Sequence, residues 1–310
     1  MKTVFIDGRS GTTGLRIVER LSGRSDLTLL TIPEELRRDT EQRRKMLNSA
    51  DIVFLCLPDA AAREAVEMIE NPNTVVLDTS TAHRTDPRFA YGFPELSAEH
   101  YEKIKGSKRI AVPGCHAGGF IALVYPLIKA GAISPDILLS AHSLTGYSGG
   151  GKGMIAEYEG EGRDALLSAP RQYALAQSHK HLPEMCAVTG LKSPPVFCPI
   201  VADFYSGMEV TVPLFREWLN PGFDVENIKD IYKKAYTGPI VSYREEASEG
   251  GFLSALALSG KDTMQIEVYG NGERILLVAR YDNLGKGASG AAVECLNIVL
   301  GCDIDTGLSL

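Results

Sequence analysis

The stretch Thr3-Val4-Phe5-Ile6-Asp7-Gly8-Arg9-Ser10-Gly11-Thr12-Thr13-Gly14 runs an apolar, β-forming segment into three glycines spaced three apart. A helical pattern starts at about Gly14. Strand, glycine turn and helix in that order let backbone N–H groups approach a pyrophosphate at a helix N-terminus. The spacing Gly8-x-x-Gly11-x-x-Gly14 departs from G-x-G-x-x-G, so on spacing alone a plain tight turn competes with a dinucleotide site. Working outward, residues 27–32 are apolar, a charged helical segment follows, residues 52–57 are apolar, residues 60–69 read as a helix, and residues 74–78 and 109–112 read as two more strands. Strands alternating with helices predict βαβ units on a parallel sheet, and five candidate strands fit a doubly wound, Rossmann-type arrangement.

After Pro113 the pattern changes. Residues 118–130 read as one helix, and the strands expected at 137–143, 209–213, 264–269 and 275–281 have fewer helices between them. This predicts a second, α+β domain built on a mainly antiparallel sheet. Residues 290–300 are apolar almost throughout and predict a largely buried helix. The Ser-Gly-Gly-Gly-Lys-Gly stretch at 148–153 reads as a glycine-rich loop.

With 310 residues, two domains are the natural expectation. A chain that is 44% hydrophobic and 23% charged, with mean hydropathy near zero and no long apolar stretch, describes a soluble globular protein without a membrane span. The first apolar run is too short for a signal-peptide core, which predicts a cytoplasmic protein. A net charge of -7 with no basic block excludes the electrostatic footprint of a nucleic-acid binder. Six cysteines without a C-x-x-C pair or a zinc-like cluster predict neither disulfides nor a metal. Most read as small buried hydrophobes.

Cys115 is the exception. It lies in Val112-Pro113-Gly114-Cys115-His116-Ala117-Gly118-Gly119, between a strand end and a helix, where the helix's positive end favours a thiolate nucleophile. A thiol nucleophile needs a proton shuttle, and His179-Lys180-His181-Leu182-Pro183-Glu184 concentrates two of the six histidines with a cation and a carboxylate. His181 is favoured as the acid/base, with His179 beside it and Glu184 near enough in sequence to orient an imidazole. Asp78-Thr79-Ser80-Thr81-Ala82-His83-Arg84 follows the fourth strand, so Arg84 could clamp a phosphate or could be a surface arginine after a capping turn. Lys152, in the glycine-rich stretch, is a second candidate for an anion. Beyond the second strand, Glu34 and Glu35 suit a ribose 2′-hydroxyl while Arg37 and Arg38 suit a 2′-phosphate, and spacing leaves the choice between NAD and NADP open.

Together these segments resemble the shorter form of the N-acetyl-gamma-glutamyl-phosphate reductase family of arginine biosynthesis, within the semialdehyde dehydrogenase group. The resemblance runs nearly end to end. It is carried by the Phe5–Gly8 segment with Gly11-Thr12-Thr13-Gly14, by Leu55-Cys56-Leu57-Pro58, Leu77-Asp78-Thr79-Ser80-Thr81-Ala82-His83-Arg84, Tyr91-Gly92-Phe93-Pro94-Glu95-Leu96, Pro113-Gly114-Cys115, the His179–Glu184 segment, and Asp282-Asn283-Leu284-Gly285-Lys286-Gly287-Ala288-Ser289-Gly290. Such membership implies an NADP-binding domain of residues 1–114 and 285–310 around a catalytic and oligomerisation domain of residues 115–284. It implies NADPH as reductant, held by Gly8, Ser10, Gly11, Thr12, Thr13, Gly14, Arg37, Arg38, Leu57, Pro58, Ser80 and Asn283. It also implies a small acyl-phosphate or semialdehyde substrate, free phosphate and a homo-oligomer. Longer members usually carry Tyr-Pro after the catalytic cysteine and Arg between the two histidines, where this chain has His116-Ala117 and Lys180; the second change keeps the charge but loses a bidentate fork. The alternatives are an aspartate-semialdehyde dehydrogenase-like enzyme, which shares the chemistry, and a non-catalytic NADP-binding redox regulator, which would leave Cys115 and the histidines without a role.

Overall fold

A computed structural model describes all of residues 1–310. The chain opens with β1 (Lys2–Asp7), α1 (Thr12–Leu21), β2 (Leu27–Leu30), α2 (Thr40–Ser49), β3 (Ile52–Leu55), α3 (Asp59–Met68), β4 (Val75–Asp78), β5 (Ala90–Tyr91), α4 (Ala98–Gly106) and β6 (Arg109–Ala111). These strands form one six-stranded sheet in the order β2-β1-β3-β4-β6-β5, and every pairing is parallel. Both faces are covered, because successive side chains point to opposite sides. Val4, Ile6, Ile52, Phe54, Val75 and Leu77 share one core with Ile17, Leu21 and Ile104, whereas Phe5, Val53, Leu55 and Val76 share the other with Leu47, Ala62 and Ala65. The doubly wound expectation therefore holds, with β5 and α4 as additions that the sequence pattern did not show.

The chain continues with α5 (Cys115–Lys129), β7 (Ser140–Gly146), α6 (Gly151–Glu159), β8 (Arg171–Gln172), α7 (Leu182–Thr189), β9 (Val196–Ala202), β10 (Met208–Phe215), α8 (Val225–Ala235), β11 (Val241–Tyr243), β12 (Met264–Gly270), β13 (Arg274–Tyr281) and α9 (Gly290–Leu300). Its seven strands lie in the order β11-β12-β13-β10-β7-β9-β8. Only β11 with β12 and β7 with β9 run parallel, so this sheet is mainly antiparallel as expected. The glycine-rich stretch at 148–153 is not a loop: a 3-10 turn over Tyr147–Gly150 leads directly into α6.

The chain divides into two compact units. The first contains Met1–Pro94, Ala98–Gly114 and Ala288–Leu308, and the second contains Glu95–Ser97, Cys115–Gly287 and Ser309–Leu310. The return observed at Ala288 lies three residues beyond the one expected at 285. Within the first unit, α9 supplies Ala291, Ala292, Val293, Cys295, Leu296 and Ile298 to the same core as Ile17, Ile104 and Phe54.

Within the second unit, α5 is buried along most of its length and contains Pro126. A helical proline lacks the N–H that would bond the carbonyl four residues back. That carbonyl belongs to Ala122, and it accepts instead from the Tyr236 hydroxyl at 2.6 Å. Tyr232 Oη donates to the neighbouring Leu123 carbonyl. Both tyrosines lie at the last turn and end of α8, whose start is fixed by a capping box of Asp224 and Asn227.

Candidate active site

Cys115 is the first residue of α5, three residues earlier than the predicted helix start, and it is half-buried. His116, the next residue, is buried and hydrogen-bonded at both nitrogens: Nδ1 lies 2.6 Å from Ser143 Oγ on β7, and Nε2 lies 2.6 Å from Tyr173 Oη just beyond β8. Burial, with nearby His179 and Lys180, pushes the His116 pKa down to about 3, so the imidazole is neutral at pH 7. Burial first, and then the neighbouring Cys115, push the Tyr173 hydroxyl upward, so it keeps its proton beside the thiol.

The predicted histidine segment converges on the same place. His179 and His181 rings lie 4.7 Å apart, and each lies 5.6 Å from the His116 ring. Phe197 on β9 closes one side, 5.4 Å from His116 and 5.2 Å from His179. His179 Nδ1 accepts the His181 main-chain N–H at 3.2 Å, which leaves its proton on Nε2 when the ring is neutral. Burial and Lys180 push the His179 pKa down to about 4. His181 is the N-cap of α7, and Glu184, in the first turn of that helix, is 1% exposed.

Of the residues expected from sequence, His179 and His181 are brought beside His116, the residue that follows Cys115, and Glu184 lies in the first turn of the helix that His181 caps. Sequence reasoning noted His116 only as a departure from the longer proteins, and it missed Ser143 and Tyr173. The available signal was a histidine flanking the cysteine; Ser143 and Tyr173 arrive from separate strands and carry no spacing rule. Tyr281, at the end of β13, was also missed: its hydroxyl accepts from Gly119 N–H at 3.1 Å and donates to the Cys115 carbonyl.

The first unit holds the glycine turn. Gly8 has a φ of +83°, and a Cβ there would lie 2.2 Å from the Cys56 carbonyl oxygen at the end of β3. Gly14 is equally enclosed, since its Cβ would lie 2.5 Å from the Gly8 carbonyl oxygen. Gly11 is the N-cap of α1, with no side-chain cap and no acidic residue in the first turn, which includes Thr12 and Thr13. Such an uncovered positive helix end fits a dinucleotide pyrophosphate. In the strand order, this turn lies between β1 and β3, where the winding direction reverses and ligands of such sheets bind. Leu57 follows β3 and Pro58 is the N-cap of α3. Beyond β2, Arg37 and Arg38 are exposed, and Arg37 pairs with Glu34. Cys56 is no competitor for Cys115, because burial pushes its thiol up to about 12.

Other candidates have different occupations. Ser80 donates to Asp78 Oδ2 at 2.8 Å, and the same oxygen lies 2.6 Å from His83 Nδ1. Arg84 donates from Nε to the Val112 carbonyl and from Nη2 to the Thr79 carbonyl, both at 2.9 Å, tying together the segments after β4 and β6. Asn283 bonds Gly207 N–H and Ser148 Oγ, each at 3.0 Å, using both ends of its amide inside the second unit. Lys152 is exposed on the first turn of α6. No three His, Cys, Asp or Glu side chains are grouped to hold a metal, and no helix is long and apolar enough to cross a membrane.

Residues 115–283 match the family model for the semialdehyde dehydrogenase dimerisation domain, and residues 30–104 match that for the semialdehyde dehydrogenase NAD binding domain. The chain belongs to the semialdehyde dehydrogenase family. Among its curated relatives, N-acetyl-gamma-glutamyl-phosphate reductase 2 of Pseudomonas putida is 44% identical over 96% of both chains. N-acetyl-gamma-glutamyl-phosphate reductase of Trichormus variabilis is 42% identical over 98% of both. The fold is also that of aspartate semialdehyde dehydrogenase II of Vibrio cholerae, solved with ASA, at a TM-score of 0.73 and 17% identity over 97% of this chain and 98% of that one. The Candida albicans aspartate semialdehyde dehydrogenase, solved with NADP, aligns at a TM-score of 0.65 and 15% identity over 98% and 99%. This semialdehyde dehydrogenase is thus an oxidoreductase with a nicotinamide-binding domain, and its near relatives carry the arginine-pathway name rather than the aspartate one. A non-catalytic regulator is not the reading that the family supports.

Proposed function

We propose that this protein reduces N-acetyl-gamma-glutamyl phosphate to N-acetylglutamate 5-semialdehyde in cytoplasmic arginine biosynthesis, as a homo-oligomer, with NADPH as reductant and a thioester on Cys115. The observation that carries the reading is the placement of Cys115 at the first position of α5, directly before His116, whose ring lies 5.6 Å from those of His179 and His181 and is hydrogen-bonded to Tyr173. The Cys115 thiolate attacks the acyl carbon, a C–S bond forms, and the C–O bond to phosphate breaks to release inorganic phosphate. Gly8, Ser10, Gly11, Thr12, Thr13 and Gly14 would hold the nicotinamide cofactor, with Arg37 and Arg38 as the residues for a 2′-phosphate, and when bound it would supply the hydride that the thioester needs to reach the aldehyde level. His181 receives the thiol proton at the start and exchanges it with the aldehyde-level oxygen, and cleavage of the C–S bond returns the thiolate. His179 lies beside it with a fixed tautomer, and Glu184, in the first turn of the helix that His181 caps, is assigned to orient an imidazole. Lys152, exposed on the first turn of α6, is the cation assigned to the phosphate, while Arg84 is engaged with the Val112 and Thr79 carbonyls.

The test is phosphate-dependent NADP reduction with N-acetylglutamate semialdehyde and aspartate semialdehyde in parallel, comparing wild type with Cys115→Ser. The expected result is turnover of the acetylated aldehyde, lost by at least about 10³-fold in the variant. Preference for aspartate semialdehyde would move the protein to the other pathway, and full turnover by Cys115→Ser would end the thioester route.

A further inference from the structure

In an α-helix the N–H of residue 119 and the C=O of residue 115 would pair directly. Here the Tyr281 hydroxyl contacts both of these groups as well. The Tyr281 hydroxyl accepts from Gly119 N–H and donates to the Cys115 carbonyl, so its single proton and an acceptor lone pair are both committed to the first turn of α5. The arrangement depends on a glycine: a Cβ at 119 would lie 2.5 Å from Tyr281 Oη, 2.8 Å from its Cε1 and 2.8 Å from Val210 Cγ2. The segment after Tyr281 reaches the same residue from another side. A Cβ at Gly287 would lie 3.1 Å from Cys115 Cβ and 3.4 Å from the Tyr281 ring, and Gly287 N–H closes a turn onto the Asp282 carbonyl at 3.0 Å. Residues 281–287 therefore bond Cys115 at its carbonyl and pack close to its Cβ.

We propose that Tyr281 is a positioning residue for the nucleophile, its hydroxyl bridging Gly119 N–H and the Cys115 carbonyl in the first turn of α5 to fix the main chain of Cys115, with Gly119 as the vacancy that admits it. This rests on Cys115 being the nucleophile. Tyr281 touches neither substrate nor cofactor in this role; it acts by limiting how the Cys115 peptide unit can rotate. Holding a reacting atom in place lowers the barrier without changing how tightly substrate binds, so the consequence belongs in kcat. The same pattern of a tyrosine hydroxyl on an α5 carbonyl occurs at Tyr232 and Tyr236, where a missing proline N–H explains it at Ala122; no proline explains it at Cys115.

The experiment uses the full-length enzyme and Tyr281→Phe, which keeps the ring and removes the bridge. Expected are a kcat at least tenfold lower, a KM for the aldehyde within about twofold of wild type, and a shifted pH profile for alkylation of Cys115 by iodoacetamide, followed by peptide mass spectrometry. Gly119→Ala is the second variant, and the double variant Gly119→Ala/Tyr281→Phe should be no slower than the slower single, because both act on one contact. A Tyr281→Phe enzyme with wild-type kcat and an unchanged alkylation profile overturns the proposal, as does an equal loss of thermal stability and activity with no change in the alkylation profile. Cys115→Ser separates the two levels: if it keeps turnover, the thioester reading fails, whereas if it is dead while Tyr281→Phe is normal, only the positioning role fails.

Discussion

Replacing His116 with glutamine should make the protein less sensitive to acid. The imidazole is 3% exposed, and its pKa is pushed from 6.5 down to about 3 by burial and by nearby His179 and Lys180. Between those values the unfolded chain takes up a proton that the folded chain refuses, so stability falls as pH drops through the unfolded value. The loss is about 1.4 kcal/mol per unit, or about 2 kcal/mol by pH 5, and it continues toward pH 3. His116→Gln removes that proton site. At pH 7 the variant should be about 1–2 kcal/mol less stable, because Ser143 and Tyr173 lose a well-placed partner. At pH 5 that gap should have closed by about 2 kcal/mol. Urea unfolding of both proteins at the two pH values measures it, with equal m-values confirming that the same surface is exposed. Titrations of groups other than His116 are common to both chains and largely cancel in the difference. A gap that stays constant between pH 7 and pH 5 would show that the folded protein accommodates the imidazolium, and the account of a neutral His116 would be wrong.

Gly8→Ala should destabilise the first unit by more than about 2 kcal/mol and abolish NADPH binding, since both its φ of +83° and the Cys56 carbonyl oppose a side chain; thermal unfolding and fluorescence titration check the two effects. Arg37→Ala/Arg38→Ala, at exposed positions, should leave thermal stability within about 0.5 kcal/mol of wild type. The same double variant should weaken NADPH binding about tenfold or more while sparing NADH, and equal weakening of both would remove the 2′-phosphate role.

The first sheet was legible because burial on both faces forces unbroken apolar runs such as Ile52–Leu55, and α9 was legible because nearly every residue in it is apolar. Strand β5 has two residues, too few for any period, and α4 buries only Ile104. Residues 148–153 read as a loop because glycine disfavours helix when judged alone, yet this stretch folds as a 3-10 turn running into α6. Gly119 is there for a reason that lies 162 residues away, in the hydroxyl of Tyr281. In the candidate site, local spacing exposed the cysteine and the paired histidines. Ser143, Tyr173 and Tyr281 come from β7, the end of β8 and β13, and only strand pairing makes them neighbours.

The split composition of the first unit sets an order of events during synthesis. Its parallel strands are complete once Gly114 has emerged, but α9, which covers part of one face, comes only after residues 115–287 have been made. At ordinary elongation rates that interval is about 10–35 s. For that time the nascent chain carries the apolar side chains of Val4, Ile6, Phe54 and Leu77 without their last covering helix, while the second unit has every one of its strands in hand before α9 appears. Release of a chain stopped short of residue 288 would free a sheet lacking part of its apolar cover, a species prone to associate with others of its kind. Helix α9 thus works as a proofreading seal: only chains translated past residue 300 can complete the apolar cover of the first unit.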